Sequence, residues 1–439
     1  METKLKQIAE KAHQEAECKF TSLAHHITPE LLKQSLYKIP LQSSAGIDGV
    51  SVTEARDTFD EWSGTYISKV HTKGYRPHPV SRVYIPKPGK KEKRPIGVPT
   101  IKDRALQRAT SKVLEQIYEQ DFLPCSFGGR PNLSAHNAVC TLRYIISNKK
   151  ISWVYEADLT NFFGSLDHDW LMQMVQHRIG DPRVLTLIRR WLKAGVMEHG
   201  IVSESNVGVP QGGSISVLLS NVYLHYVLDL WFEKIAKPRL KGEAYLCRYL
   251  DDFVICFQLK EDANRVTKVI SSRLGKFKLS LEPNKTRLIP FGRFAKRDCR
   301  ARGTKPPTIN FLGFTMYGHH FAEGNYAVCL KTSKKSLSKT VANLKGAMRK
   351  GMHGKVKDQA ARINAGLRGL YQYFGVPFNS KTLGWLYWWA IKYWKRVLGR
   401  RSQNGRLNWE KFNKTLSQFP LARPKVHYNF YQLERLAVL

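Results

Sequence analysis

The chain has 439 residues, enough for two or three domains with sizeable cores, and its 42% hydrophobic content excludes wholesale disorder. Lys and Arg number 71 against 35 Asp and Glu, a formal net charge of +36 at pH 7. A compact protein so charged repels itself, which points to a polyanionic partner, most simply nucleic acid. No apolar stretch approaches the roughly 20 residues of a spanning helix, and METKLKQIAEK is no signal peptide, so no membrane partner is expected. The expected location is intracellular: cytoplasmic, bacterial-type and nucleoid-associated.

In chain order, residues 1 to about 40 are polar and mostly helical, closed by Pro40. SSAGIDGVS (43–51) carries turn chemistry, and VTEARDTFDEWSGTYISKVHTKG is helical, with Phe59, Trp62 and Ile67 apolar. In 75–99, Val80, Val83, Tyr84 and Ile85 predict one strand and Ile96 and Val98 a second. The basic turn PKPGKKEKR between them suits a solvated loop or contact with phosphates. TIKDRALQRATSKVLEQIYEQ is a helix by its apolar spacing. ISWVYEADLTNFFGSLDH (151–168) begins as a strand at Trp153, reaches Glu156 and Asp158, then meets Phe162-Phe163, with helical sequence to about Lys193. A Gly-Pro-Gly loop opens a long amphipathic helix over 208–234.

CRYLDDFVICF (247–257) places Asp251 and Asp252 between two apolar runs. Such a pair suits a solvated hairpin tip. The sharper alternative is a magnesium site, since rigid carboxylates bind a hard cation. Asp158 ends an apolar strand as Asp251 begins the turn between two. Strands side by side would bring the three together, and carboxylates that close resist ionisation unless cations bridge them. A helix over 261–278 and two strand-like runs, LEPNKTRLIPFG and INFLGFTMYG, follow.

After Lys331 the composition shifts: the last hundred or so residues hold only three acids, Asp358, Glu410 and Glu434. Three helical segments stand out there. Trp385, Trp388, Trp389 and Trp394 in the last read as core rather than as a base-stacking platform; its basic side, Lys392, Lys395, Arg396 and Arg400, suits phosphate contact. The seven cysteines form no C-x-x-C pair and most read as small buried hydrophobes, and the fourteen histidines show no metal-ligating spacing.

Tyr249-Leu250-Asp251-Asp252 resembles the Y-x-D-D box of reverse transcriptases. AGIDGVS, IPKPGKKEKRPIGVPTIKDRALQ, SAHNAV, EADLTNFFGSLDH, GVPQGGSIS, EPNKTRLIPFG and INFLGFT resemble further segments of that family, in order. LRGLYQYFGVPFNS and the tail to PLARPKV resemble the thumb, or maturase, region of group II intron-encoded proteins. The resemblance covers roughly residues 43 to 425 and identifies the chain as similar to group II intron-type reverse transcriptases.

That resemblance implies an α+β right-hand polymerase fold, with an antiparallel palm sheet, fingers and a helical thumb. It implies an N-terminal helical extension over 1–45, fingers over 46–150, palm over 151–330 and thumb or maturase domain over 331–439, without an endonuclease domain. The implied activity is RNA-directed DNA synthesis: primer 3′-hydroxyl extension with dNTPs, by two Mg²⁺ ions for which Mn²⁺ substitutes. Asp158, Asp251 and Asp252 would hold the ions, with the Leu159 carbonyl as a further ligand. Phe163 would be the steric gate against ribose, unless Phe162 faces the nucleotide. Arg94, with Lys87 and Lys93, would clamp the triphosphate, with Gln211, Tyr249 and Leu250 beside the nucleotide. Lys285 would protonate pyrophosphate, and Gly313 would admit the primer end. Implied partners are an RNA template, a DNA or RNA primer, dNTPs and, for an intron-encoded protein, its own intron RNA. The sequence departs from the family where Leu250 replaces alanine, Val217 replaces proline, Gly164 replaces an acid and FGGRPNLSAH is rebuilt. Three roles stay open: an intron-encoded enzyme that also aids splicing, a free-standing relative recruited for DNA repair or phage (antiviral) defence, and a non-catalytic RNA-binding maturase.

Overall fold

The structure, a computed structural model, describes residues 2–86, 93–198, 201–203, 208, 213–322, 324–401 and 407–438. The polar N-terminus forms α1 (Glu2–Gln14) and α2 (Pro29–Tyr37). Pro29 opens α2 where no N–H is needed, behind Thr28, whose hydroxyl accepts from Leu31 N at 3.3 Å. The helical stretch that follows is two helices, α3 (Val52–Asp57) and α4 (Phe59–His71). β1 (Val80–Pro86) and β2 (Lys93–Val98) pair antiparallel with Ser81 opposite Val98 and Pro86 opposite Lys93. α5 (Ile101–Asp121) starts at the Thr100 cap and buries Ile101, Ala105, Ala109, Val113 and Ile117, the four-residue spacing of one helical row.

Next come α6 (Ala135–Asn148), β3 (Trp153–Asp158), α7 (Phe162–Ser165), α8 (His168–Arg178) and α9 (Pro182–Leu192). The helical run expected as far as Lys193 is thus broken before Pro182. Buried Asp181 caps the new helix by accepting from Arg183 N at 2.8 Å, and it also accepts from Leu23 N and Ala24 N. β4 (Val196–Glu198) and β5 (Ile201–Ser203) extend the first sheet to the order β2-β1-β4-β5.

The long amphipathic helix expected after the Gly-Pro-Gly loop of 208–234 is not one α-helix. α10 (Ser216–Leu224) passes into π turns at His225–Asp229 and Trp231–Ala236, then a 3₁₀ turn at Lys237–Arg239. β6 (Ala244–Tyr249) and β7 (Asp252–Phe257) form the acidic hairpin, α11 (Lys260–Lys276) follows, and β8 (Arg287–Pro290) takes only the second half of LEPNKTRLIPFG. The second sheet has the order β6-β7-β3-β8. After α12 (Ala295–Ala301), β9 (Ile309–Phe311), β10 (Phe314–His320) and β11 (Tyr326–Thr332) make an antiparallel sheet, β11-β10-β9. The chain then runs through α13 (Lys334–Lys350), α14 (Val356–Phe374), α15 (Ser380–Leu398), α16 (Trp409–Gln418) and α17 (Phe430–Arg435).

The fold is therefore mixed helix and sheet. It divides into two compact units, 1–134 with 155–255 and 261–287, and 135–154 with 256–260 and 288–439. The composition shift after Lys331 falls inside the second. The tryptophan stripe of α15 corrects the core expectation in part: Trp394 is fully buried, but Trp385 is 51% and Trp388 61% exposed. No helix among the described residues is long and apolar enough to cross a membrane.

Candidate active site

Asp158 is the last residue of β3 and Asp252 the first of β7, neighbours in the sheet. Ser152 N, before β3, donates to Phe257 O at the end of β7, so the strands run antiparallel and their acidic ends coincide. The chain past Asp158 is pinned by Glu282 N donating to Asp158 O at 2.8 Å and Thr160 N to Ser280 O at 2.9 Å. Leu159 is buried there and bridges Leu281.

Electrostatics tie the acids together. Burial, then Asp158, Asp251 and Glu156, push the Asp252 carboxyl up to about 8. Burial also raises Asp251, aided by Asp158 and opposed by Arg94 and Lys285. Arg94, exposed on β2, is therefore within electrostatic reach of Asp251. Lys285 Nζ makes an ion pair with Asp158, and Arg287 with Glu156. Burial works against the Lys285 charge, but the hydrogen bond it donates to Asp158 and the charges of Asp158, Glu282 and Asp252 outweigh it and raise its pKa.

The donors suit a hard divalent cation: carboxylates that cannot all ionise unaided, with a lysine cation already drawn to one. Among the described residues, no three His, Cys, Asp or Glu converge into a ready-made ion cage. In this conformation Lys285 supplies the positive charge at Asp158.

Around the acids, Asn161 takes a left-handed backbone and opens α7, which buries Phe162 and leaves Phe163 half-buried against it, ring centroids 5.3 Å apart. Tyr249 is half-buried. Lys93 is exposed opposite Pro86. Lys87 and Gln211 lie outside the described residues. In the second unit, apart from these residues, Gly313 sits in the β9–β10 turn at φ +83°, and a Cβ there would meet Ser336 Oγ at 3.1 Å. In the second unit Lys392, Arg396 and Arg400 are exposed and Lys395 is half-buried.

Two features escaped the sequence reading. The first is Arg248, fully buried under the acidic turn. Its guanidinium is bidentate to fully buried Asp229, Nε to Oδ1 at 2.7 Å and Nη2 to Oδ2 at 2.5 Å. It also donates to Asn221 Oδ1 at 3.0 Å, Ser126 Oγ at 2.7 Å and the Leu250 carbonyl at 3.2 Å. The planar fork suits this many fixed acceptors. Eight residues of α-helix would leave Asn221 and Asp229 about 80° apart around the axis; the wider π turns between them narrow that angle.

The second is a packing set. Leu250 holds φ +55° in the turn before Asp251. A Cβ on Gly128 would lie 2.8 Å from Leu250 Cγ, and one on Gly129 2.2 Å from Val217 Cγ1 and 3.5 Å from Leu250 Cδ2. Asn221 Nδ2 donates to Gly128 O at 2.7 Å. Three of the sequence departures noted above are thus one cluster: the paired glycines make the room that Leu250 and Val217 fill.

The family described as reverse transcriptase (RNA-dependent DNA polymerase) matches residues 85–316. Protein YkfC of Escherichia coli (strain K12) is 33% identical over 294 residues, covering 59% of this chain and 77% of that protein. Group II intron-encoded protein LtrA of Lactococcus lactis subsp. cremoris is 31% identical over 293 residues, covering 65% of this chain and 47% of LtrA, so the chain spans about half of that relative. Nuclear intron maturase 3, mitochondrial, of Arabidopsis thaliana is 25% identical over 178 residues, covering 36% and 24%.

Proposed function

The chain belongs to the reverse transcriptase (RNA-dependent DNA polymerase) family, in its group II intron-encoded branch, and from that membership we propose that it extends a primer 3′-hydroxyl with dNTPs along an RNA template. The observation that carries the proposal is the coincidence of Asp158 with Asp251 and Asp252 at the meeting ends of two neighbouring strands.

On this reading Asp158, Asp251 and Asp252, with the Leu159 carbonyl, hold two Mg²⁺ ions, or Mn²⁺ in their place. Bound there, such ions would supply Lewis acidity to the attacking hydroxyl and positive charge to the leaving pyrophosphate. The protein's own part is positioning and charge. Arg94, Lys93 and Lys87 grip the triphosphate. Phe163 closes the space a 2′-hydroxyl needs, while Gln211, Tyr249 and Leu250 bound the nucleotide. Lys285, which keeps its proton at neutral pH, donates to the departing pyrophosphate. Gly313 gives the primer end a close approach to backbone. Lys392, Lys395, Arg396 and Arg400 hold phosphates of primer and template. The domain roles are fingers over 46–150, palm over 151–330 and thumb over 331–439, behind an N-terminal extension over 1–45. Aid to splicing of an intron RNA fits the same branch.

A specific observation favours a second biological setting for the same chemistry. The Leu250–Gly128–Gly129–Val217 cluster rebuilds the wall beside the acidic turn. A polymerase fitted to other ends than an intron's, as in repair or phage defence, would have reason for that change.

The test is primer extension on an RNA template with dNTPs and Mg²⁺, wild type beside Asp251→Asn. Extension in the wild type that falls at least about 100-fold in the variant is expected. Wild-type protein that binds primer-template but adds nothing, with Mn²⁺ as well, would leave a non-catalytic RNA-binding protein instead.

A further inference from the structure

One face of α15 carries exposed aromatic rings that the chemistry above does not use. Lys381, Trp385, Trp388, Lys392, Lys395 and Arg396 follow one another at spacings of four, three, four, three and one residues. At 100° per residue they fall within about 100° of arc on one side of the helix. Leu383, Leu386, Ala390, Ile391, Trp394 and Val397 occupy the other side and are buried. Trp385 and Trp388 keep half or more of their surface in water, although a buried indole would contribute more to stability. Tyr387 packs edge-on to Trp388 at 5.8 Å, and the neighbouring Trp389 stacks on Tyr393 at 5.2 Å. A third indole, Trp409, is 48% exposed with Lys395 Nζ 4.9 Å from its ring centroid. The face carries no acid. Asp358, Glu410 and Glu434 are the only acids after Lys331, and Glu410 is paired with Lys414 at 3.6 Å.

We propose that this face of α15 is a stacking platform for single-stranded nucleic acid: the indoles of Trp385 and Trp388 receive unpaired bases while Lys381, Lys392 and Arg396 take the flanking phosphates. The proposal rests on the reading of the chain as a nucleic-acid enzyme and adds to it which strand state this surface selects. Charge complementarity names the occupant. Cations alone would suit any polyanion, but a duplex hides the faces of its bases and offers only phosphates to a helix side. Exposed indoles bracketed by lysines match a strand whose bases are free to stack. Trp385 and Trp388 are about 4.5 Å apart along the axis, a step that consecutive bases can follow.

The experiment measures equilibrium binding of a fluorescent single-stranded oligouridine and of a blunt RNA duplex, to wild type, Trp385→Ala/Trp388→Ala, and Lys392→Gln. Loss of about ten-fold per indole for the single strand, with the duplex nearly unaffected, is expected. The salt slope should stay unchanged in the tryptophan variant and shrink by about one in Lys392→Gln. Single-strand affinity within about two-fold of wild type overturns the proposal, as does an equal loss for strand and duplex. Capture of the wild type by anionic lipid vesicles, abolished in the tryptophan variant while strand binding persists, also overturns it. Should the double variant fold poorly, Trp388→Ala beside Trp388→Tyr decides: the tyrosine must recover most of the affinity. The same titrations with Asp251→Asn separate the two readings. Tryptophan-dependent strand binding without wild-type extension leaves the platform and removes the polymerase, and the converse removes only the platform.

Discussion

Arg248 shows how much of the acidic turn is set from below it. Its charge and that of Asp229 are wholly out of water, which is tolerable because all the donors named above find acceptors. Removing one partner leaves the other charge buried and alone. Asp229→Asn should therefore cost about 3–5 kcal/mol in urea denaturation, and a loss under about 1 kcal/mol would mean the pair contributes little. Neither residue was legible beforehand, because an arginine before Tyr-Leu-Asp-Asp and an aspartate in a helix look like ordinary surface charges until they meet. The acids of the site were legible, since a charge placed at the end of an apolar strand needs a reason. A half-buried acid makes a pH prediction. Burial, then Glu119, raises Glu115 in α5 to about 7 against Arg108, Lys112 and Lys38. The folded chain thus binds a proton there that the unfolded chain releases near 4.5. Its stabilising effect is full below that value and drains away as pH rises through about 7. Glu115→Gln should match wild type at pH 4.5 and exceed it by about 1–2 kcal/mol at pH 8, allowing for partial exposure. A difference that does not change with pH would contradict the half-buried-acid account.

The elements around the site depend on caps as much as on cores. The C-terminal carbonyls of α1 have no partners within their own helix. Arg178, last residue of α8, serves one of them, donating to Ala12 O at 3.2 Å, and ties down the chain just past the helix through Glu15 O at 3.1 Å, Ala16 O at 2.5 Å and Cys18 O at 2.9 Å, while its Nε bonds Asp121 at 3.0 Å. Arg178→Ala should free the N-terminal segment, seen as trypsin cleavage at Lys11 and Lys19 accelerated at least about ten-fold with α5 still protected. Equal cleavage rates would show that α1 is held by its packing alone. Hairpin β1–β2, α5 and the β6–β7 turn could be read in advance from local pattern: alternation, four-residue spacing, an acidic break. The π turns after α10 could not, because the apolar spacing of 216–234 also suits an α-helix and the distortion serves Asp229, a distant demand. Nor could the exposure of Trp385 and Trp388. An aromatic-rich helix has more rings than one face can bury, and which rings are left out depends on what packs against it. The two compact units are interleaved in sequence for a like reason, as strand pairing joins segments that composition cannot connect.

A formal charge of +36 on 439 residues sets the behaviour of the protein as a body. Alone, the fold works against its own repulsion; with a polyanion bound, that repulsion becomes attraction and condensed counterions are released. Two consequences should appear together. Thermal stability of the free protein should rise as salt screens like charges, since the Debye length falls from about 30 Å at 0.01 M to about 10 Å at 0.1 M. Affinity for RNA should fall over a similar range, by about 10³–10⁵ between 50 and 200 mM if six to ten phosphates are contacted. Asp251→Asn should leave that slope unchanged while removing extension, because one neutralised acid hardly alters a field built from so many cations. The measurement is a binding titration at four salt concentrations beside melting curves in the same buffers. If affinity were flat with salt while the melting point rose, the cations would be serving some purpose other than phosphates, and the charge argument for a nucleic-acid partner would fail even with the family assignment intact.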